Sequence, residues 1–196
     1  MKHSTKVFIS YRRADDSKWF SSSINGGLKD AFETFYDVAG GIPYGENFPQ
    51  VIKESVQKSD VLLAVVGKEY ANLFRAKEGT RDFVLEELLE AKASGSLIVP
   101  IMTEDAEIPS ADKLPQKIAF LSSLNGFEIR HNKLESDIGL LIAYLQKLKP
   151  NKTKSQDKRF VNEVFNTLEE KSLVVLFCPR RTHPSKYRHR DVFSRK

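Results

Sequence analysis

Apolar residues in this chain fall into short solid blocks, separated by longer segments where they recur every three or four positions. Val61-Leu62-Leu63-Ala64-Val65-Val66 and Leu97-Ile98-Val99-Pro100-Ile101 are continuously apolar, as strands covered on both faces are. Lys6 to Ser10 is a shorter block of the same kind, and Phe127-Glu128-Ile129 reads as another strand. Between them the period changes. Asp15, Asp16 and Ser17 supply N-cap chemistry, and Phe20, Ile24, Leu28 and Phe32 then form one stripe of an amphipathic helix. Gly26-Gly27 marks a close-packing point or a bend in that helix. Thr34-Phe35-Tyr36 reads as a second short strand. Val51, Ile52, Ser55 and Val56 place a helix that Ser59-Asp60 closes. Phe83 to Ala93 is helical, and Leu134, Ile138, Leu141, Ile142 and Leu145 give a last stripe that Lys149-Pro150 stops. This alternation predicts an α/β fold of about 150 residues, a parallel sheet with helices on both faces. No internal repeat is visible.

Beyond the last stripe, residues 151–159 have linker composition, and Phe160 to Leu168 and Leu173 to Phe177 read as one helix and one strand. Two elements cannot form a core of their own. The reading is therefore a domain over 5–148, a linker over 149–159, and a basic extension or fragment of a second domain over 160–196. Charge supports the division. Of 31 bases in the chain, seven lie after Pro179, against Asp191 alone. The residues before them carry 24 bases and 25 acids, so the main domain does not call for nucleic acid; only the basic tail could touch it or an anionic lipid. The single cysteine, Cys178, cannot form an internal disulfide. No apolar run approaches the roughly 18 residues that span a membrane, and no signal-peptide core precedes the first strand. The expectation is a cytoplasmic protein without a membrane partner.

Chemistry concentrates at the carboxyl ends of the predicted strands, where open parallel sheets bind ligands. Ser10, Tyr11, Arg12 and Arg13 leave the first strand as a hydroxyl, an aromatic ring and two guanidiniums. An aromatic face beside fixed positive charge suits a flat, phosphate-bearing ligand; a stacked tyrosine with solvated arginines is the alternative. The loop from Asp37 to Asn47 leaves the second strand on the same edge, with three glycines that allow close backbone approach, and Phe48 stands at the next helix entrance. No Gly-Lys-Ser/Thr follows, so it is not a Walker loop. The helix from Phe83 carries Glu86, Glu87 and Glu90. At about 100° per residue, Val84, Leu85, Leu88, Leu89 and Ala91 define its buried arc, with Glu87 beside that arc and Glu86 and Glu90 turned away. Glu87 is the carboxylate best placed to lean over the sheet edge, unless all three form a solvated acidic face. No metal-ligand spacing is present, and His3, His131, His183 and His189 read as surface residues.

Taken in order, Val7-Phe8-Ile9-Ser10-Tyr11-Arg12-Arg13, the loop from Asp37 through Ile42-Pro43-Tyr44-Gly45, Ser59-Asp60 before a hydrophobic strand, and Asp82-Phe83-Val84-Leu85-Glu86-Glu87-Leu88 before Ile98-Val99-Pro100-Ile101 resemble the Toll/interleukin-1 receptor (TIR) domain. The resemblance covers about residues 5–148 and is strongest to bacterial TIR domains and to the catalytic TIR domain of the animal axon-degeneration enzyme. It implies a flavodoxin-like fold with five parallel strands. Many members cleave NAD+ at the nicotinamide–ribose bond, and their essential glutamate sits in the block Asp-Trp-Val-x-x-Glu, at Glu87 here. Phe83 stands where the family usually has Trp. The resemblance implies Glu87 as the catalytic residue, with Ser10, Tyr11, Arg12, Arg13, Asp37, Ile42, Gly45, Phe48 and Phe83 at the substrate. In that scheme Tyr11 stacks on a ring, Arg12 pairs with the pyrophosphate and the 37–48 loop covers the ligand. NAD+ is then a substrate, no cofactor is needed, and the products are nicotinamide and ADP-ribose or a cyclic isomer. Further copies of the domain are implied as partners, with a sensor or effector domain elsewhere. The implied setting is bacterial antiphage defence or host signalling.

Other classes share this pattern. TIR domains also signal as non-catalytic adaptors by self-association alone. A response-regulator receiver shares the fold but ends its third strand on an aspartate, whereas this one ends Val65-Val66-Gly67. A flavin carrier is allowed by fold alone.

Overall fold

A computed structural model describes residues 3–13, 16–36, 48–77 and 79–148 of the 196. The 37–47 loop and everything from Lys149 onward lie outside the described residues. The strands are β1 (His3–Ser10), β2 (Phe32–Phe35), β3 (Val61–Val66), β4 (Leu97–Thr103) and β5 (Phe127–Ile129). The helices are α1 (Ser17–Leu28), α2 (Phe48–Lys58), α3 (Tyr70–Ala76), α4 (Phe83–Ser94) and α5 (Leu134–Lys147). All four strand pairings are parallel, in the order β2-β1-β3-β4-β5. This is the flavodoxin-like order, with its switch point between β1 and β3.

Alternation along the strands feeds two cores. Val7, Ile9, Val61, Leu63 and Val65 face α1 and α5, while Phe8, Leu62, Ala64 and Val66 face α2, α3 and α4. That is why β3 is apolar at every position and buried at every position. Between β4 and β5 two short 3-10 segments, Ala111–Lys113 and Gln116–Ser123, replace a helix, and Leu114, Ile118 and Leu121 join the second core.

Two expectations are corrected. Phe32 is not on the first helix but opens β2, because α1 ends at Leu28 and the chain turns through Lys29 to Ala31. Its spacing from Leu28 mimics a helical stripe because it enters the same core as Ile24 and Leu28. The second strand accordingly runs from Phe32 to Phe35, with Tyr36 just beyond it. The short helix α3 was not anticipated, although Tyr70, Leu73 and Phe74 have its spacing.

Polar residues tie the sheet edges. At the amino edge, Asp60 accepts from Lys6 N through its carboxylate (2.9 Å), donates its own N–H to Lys6 O (2.9 Å) and receives Leu97 N at its carbonyl (2.9 Å). Ser59 accepts from Ser96 Oγ at 2.7 Å. At the carboxyl edge, Asp137 in the first turn of α5 receives Arg130 N, Nε and Nη2 at 3.0, 3.0 and 2.6 Å.

Candidate active site

α4 begins where Asp82, in extended conformation, caps its first turn by accepting from Leu85 N at 3.2 Å. Its body of Leu, Glu, Ala and Lys favours helix, and Gly95 ends it in the left-handed region at φ 74°. The buried residues of this helix are Val84, Glu87, Leu88 and Ala91. Glu87 is therefore part of the buried arc rather than beside it, at 7% exposure. The Ser10 hydroxyl donates to its Oε2 at 2.5 Å, across the gap between the end of β1 and the helix.

The other two glutamates have separate tasks. Glu86 is exposed and holds Arg81 through two bonds of 2.8 Å. Glu90 is half-buried, receives Gln57 Nε2 of α2 at 2.6 Å and lies 4.0 Å from Lys53. The expectation that Glu90 turns away from the protein is corrected: packing of α2 against α4 covers it.

The four residues leaving β1 divide between the two faces. Ser10 and Arg12 share the α4 side with Phe8, as alternate positions of extended chain do. Arg12 is buried, with Nη1 and Nη2 on the Asp82 carboxylate at 2.9 and 2.7 Å, and its Cζ lies 4.0 Å from the centre of the Phe74 ring. Tyr11 belongs to the opposite core, where its ring meets Tyr36 at 5.2 Å. Arg13 is exposed at the turn after β1. Phe83 is half-buried against the α4-side core, with the Arg81 guanidinium 4.9 Å from its ring centre. Asp37, Ile42 and Gly45 lie outside the described residues, and so does the side chain of Phe48, whose backbone opens α2. The structure thus brings together Ser10, Arg12 and Glu87 and turns Tyr11 to the other side. Sequence reasoning gave Asp82 and Phe74 no role at the site. An aspartate at a helix start facing a strand-exit arginine is the signal that was available for the first.

Chemically, among the described residues, the exit of β1 and the start of α4 bring one buried cation, Arg12, together with the buried carboxylates Asp82 and Glu87. A carboxylate at this place is the kind of group that favours a positive charge developing beside it. His131 is exposed and stacks on Trp19 at 4.8 Å. Among the described residues no group of acids, histidines or cysteines could hold a metal ion, and no helix is long and apolar enough to cross a membrane.

Residues 7–138 match the family model described as the TIR domain. No curated protein sequence matches the chain. Among solved structures, the TIR domains of the activated Roq1 resistosome, which directly recognises the pathogen effector XopQ, superimpose with a TM-score of 0.54. Their identity is 16%, over 71% of this chain and 98% of that one. A prokaryotic SEFIR domain gives a TM-score of 0.52 at 18% identity, over 75% of this chain and 95% of its own. At such identities the likeness is one of fold.

Proposed function

Because this chain belongs to the TIR domain family, we propose that it is an NAD+ nucleosidase, a hydrolase that breaks the nicotinamide–ribose bond of NAD+. The observation that carries this reading is Glu87, a buried carboxylate held by Ser10 at the carboxyl edge of the sheet beside the switch point. Departure of nicotinamide leaves an oxocarbenium-like ribose, as in glycoside cleavage. A carboxylate fixed in a desolvated place stabilises that cation without reorganising at the moment of reaction. The leaving group is already a pyridinium, so a strong general acid is not required.

The reading includes self-association, as the resistosome setting of the Roq1 TIR domains suggests, and a role in cytoplasmic defence or signalling. The rival is a TIR module that acts by self-association alone. Incubation with NAD+ separates them: free nicotinamide is expected, and mass spectrometry then identifies ADP-ribose or a cyclic isomer. Absence of nicotinamide from concentrated protein leaves the adaptor reading standing.

A further inference from the structure

The elements that carry Ser10 and Glu87 are joined twice. Besides the Ser10–Glu87 bond, Arg12 and Asp82 form a two-pronged ion pair in which each side chain is 6% exposed. On the strand side the two links are two residues apart, and on the helix side five. Extended chain advances about 3.3 Å per residue and helix about 1.5 Å, so the links are spaced by about 7 Å along each element. Both ends of the outer link are themselves anchored. Asp82 caps α4 by accepting from Leu85 N, and the Arg12 carbonyl receives Ser17 Oγ of α1 at 2.7 Å.

The pair is not built as a purely stabilising one would be. Arg12 Nε has no hydrogen-bond partner among the described residues. At β5, by contrast, the Arg130–Asp137 pair uses Nε as well as Nη2. A buried ion pair that leaves a donor unused is a weak source of stability, and its rationale has to be sought in what it holds in place.

We infer that the Arg12–Asp82 pair is a positioning device for Glu87. It locks the first turn of α4 to the exit of β1, so that the Glu87 carboxylate stands at one place on the sheet edge. Arg12 is thereby committed to Asp82 rather than to a substrate phosphate. The kinetic part of this inference rests on the NAD+-cleaving reading; the geometric part does not.

Two variants test it. Asp82→Asn keeps a capping acceptor and removes the charge, and Arg12→Lys keeps the charge and removes the fork. Each is expected to lower kcat for NAD+ by tenfold to about 100-fold, as sub-ångström to ångström misplacement of a reacting group does. KM and the affinity for ADP-ribose, measured by calorimetry, are expected to stay within about twofold. If Asp82→Asn tightens ADP-ribose binding, or if Arg12→Lys raises KM with kcat unchanged, Arg12 is a phosphate ligand and the inference is overturned. A readout independent of cleavage is the side-chain carboxyl carbon of Glu87 in 13C-glutamate-labelled protein, assigned by its loss in Glu87→Gln. Its resonance is expected to move in Arg12→Lys, where the formal charge is unchanged and a shift reports displacement. An unmoved resonance overturns the inference. Should wild-type protein release no nicotinamide, the NAD+ reading fails and the carboxyl resonance alone decides the positioning. Should Asp82→Asn not fold, Arg12→Lys carries the test.

Discussion

Glu87 is held against the solvation preference of a carboxylate, which favours water by several kcal/mol, and the Ser10 hydroxyl offsets part of that cost. Glutamine has nearly the same shape without the charge. Glu87→Gln is therefore expected to keep the fold and to lower NAD+ cleavage by about 100-fold or more, corresponding to roughly 2.7–4 kcal/mol of lost transition-state stabilisation. Glu86→Gln is the appropriate control, because Glu86 is exposed and bound to Arg81, whereas Glu90 bridges α4 to α2. Nicotinamide release followed by chromatography, with circular dichroism as the folding check, reads both variants. Equal losses in the two would remove Glu87 from its role. Helical periodicity made Glu87 the best placed of the three glutamates but left a solvated acidic face open, because the angle between two residues of one helix is a local property; the resemblance to TIR domains then selected it. The partner of Arg12 was not legible in the same way, since Asp82 stands 70 residues away and meets it only after β3 has formed beside β1 and α4 has packed.

At the scale of elements, the contact of α1 with α5 is set by one of two adjacent glycines. A Cβ on Gly27 would stand 2.6 Å from Ile138 Cγ2, whereas one on Gly26 would meet nothing within 4 Å. The pair Gly26-Gly27 is thus a close-packing point, and only its second member is required. Gly26→Ala is expected to stabilise the protein by about 0.5–1 kcal/mol through helix propensity. Gly27→Ala is expected to destabilise it by about 1–3 kcal/mol, because the β-branched Ile138 cannot swing its methyl aside. Urea unfolding of the two single variants reads the opposite signs. The same helix pair supplies a pH dependence. Tyr144 of α5 lies buried in the α1-side core, and burial raises its pKa from 10 to about 12. Below pH 10 the phenol is neutral in both folded and unfolded chains, and its contribution is fully present. Between pH 10 and about 12 the unfolded chain loses the proton first, so stability falls, by about 1.4 kcal/mol per pH unit at most. Tyr144→Phe should flatten that part of a stability profile measured by urea unfolding from pH 9 to 11.5.

Over the whole molecule, the sheet is covered on both faces by residues up to Leu148, which is itself buried in the α1-side core. A chain cut after Pro150 is therefore expected to fold with an unchanged melting temperature. A drop of several degrees, or aggregation, would make Leu173–Phe177 an integral part of the domain, because an exposed edge strand invites a further strand. Self-association belongs to the proposed reading, with a neighbouring copy contributing to the site at the carboxyl edge of the sheet. Specific activity is accordingly expected to rise with protein concentration or with crowding, in step with a growing mass by light scattering. A constant value from nanomolar upward, with a monomeric profile, would count against assembly.

The order and kind of most elements were determined by the sequence itself. A strand covered twice must be apolar throughout, and a helix covered once must repeat every three or four residues. The four sequence blocks that resemble a TIR domain are local as well, and it is that resemblance, added to the helical angle, that chose Glu87. Tertiary structure alone decided how the strand exit is shared. Extended chain sends Ser10 and Arg12 to one face and Tyr11 to the other, but only the placement of α4 on the first and of α1 with α5 on the second gives those faces their meaning. It likewise gave Phe32 to a strand, covered Glu90 with α2, and set Phe74 beneath Arg12. Each of these depends on partners brought together by the β2-β1-β3-β4-β5 order, which no local window of sequence contains.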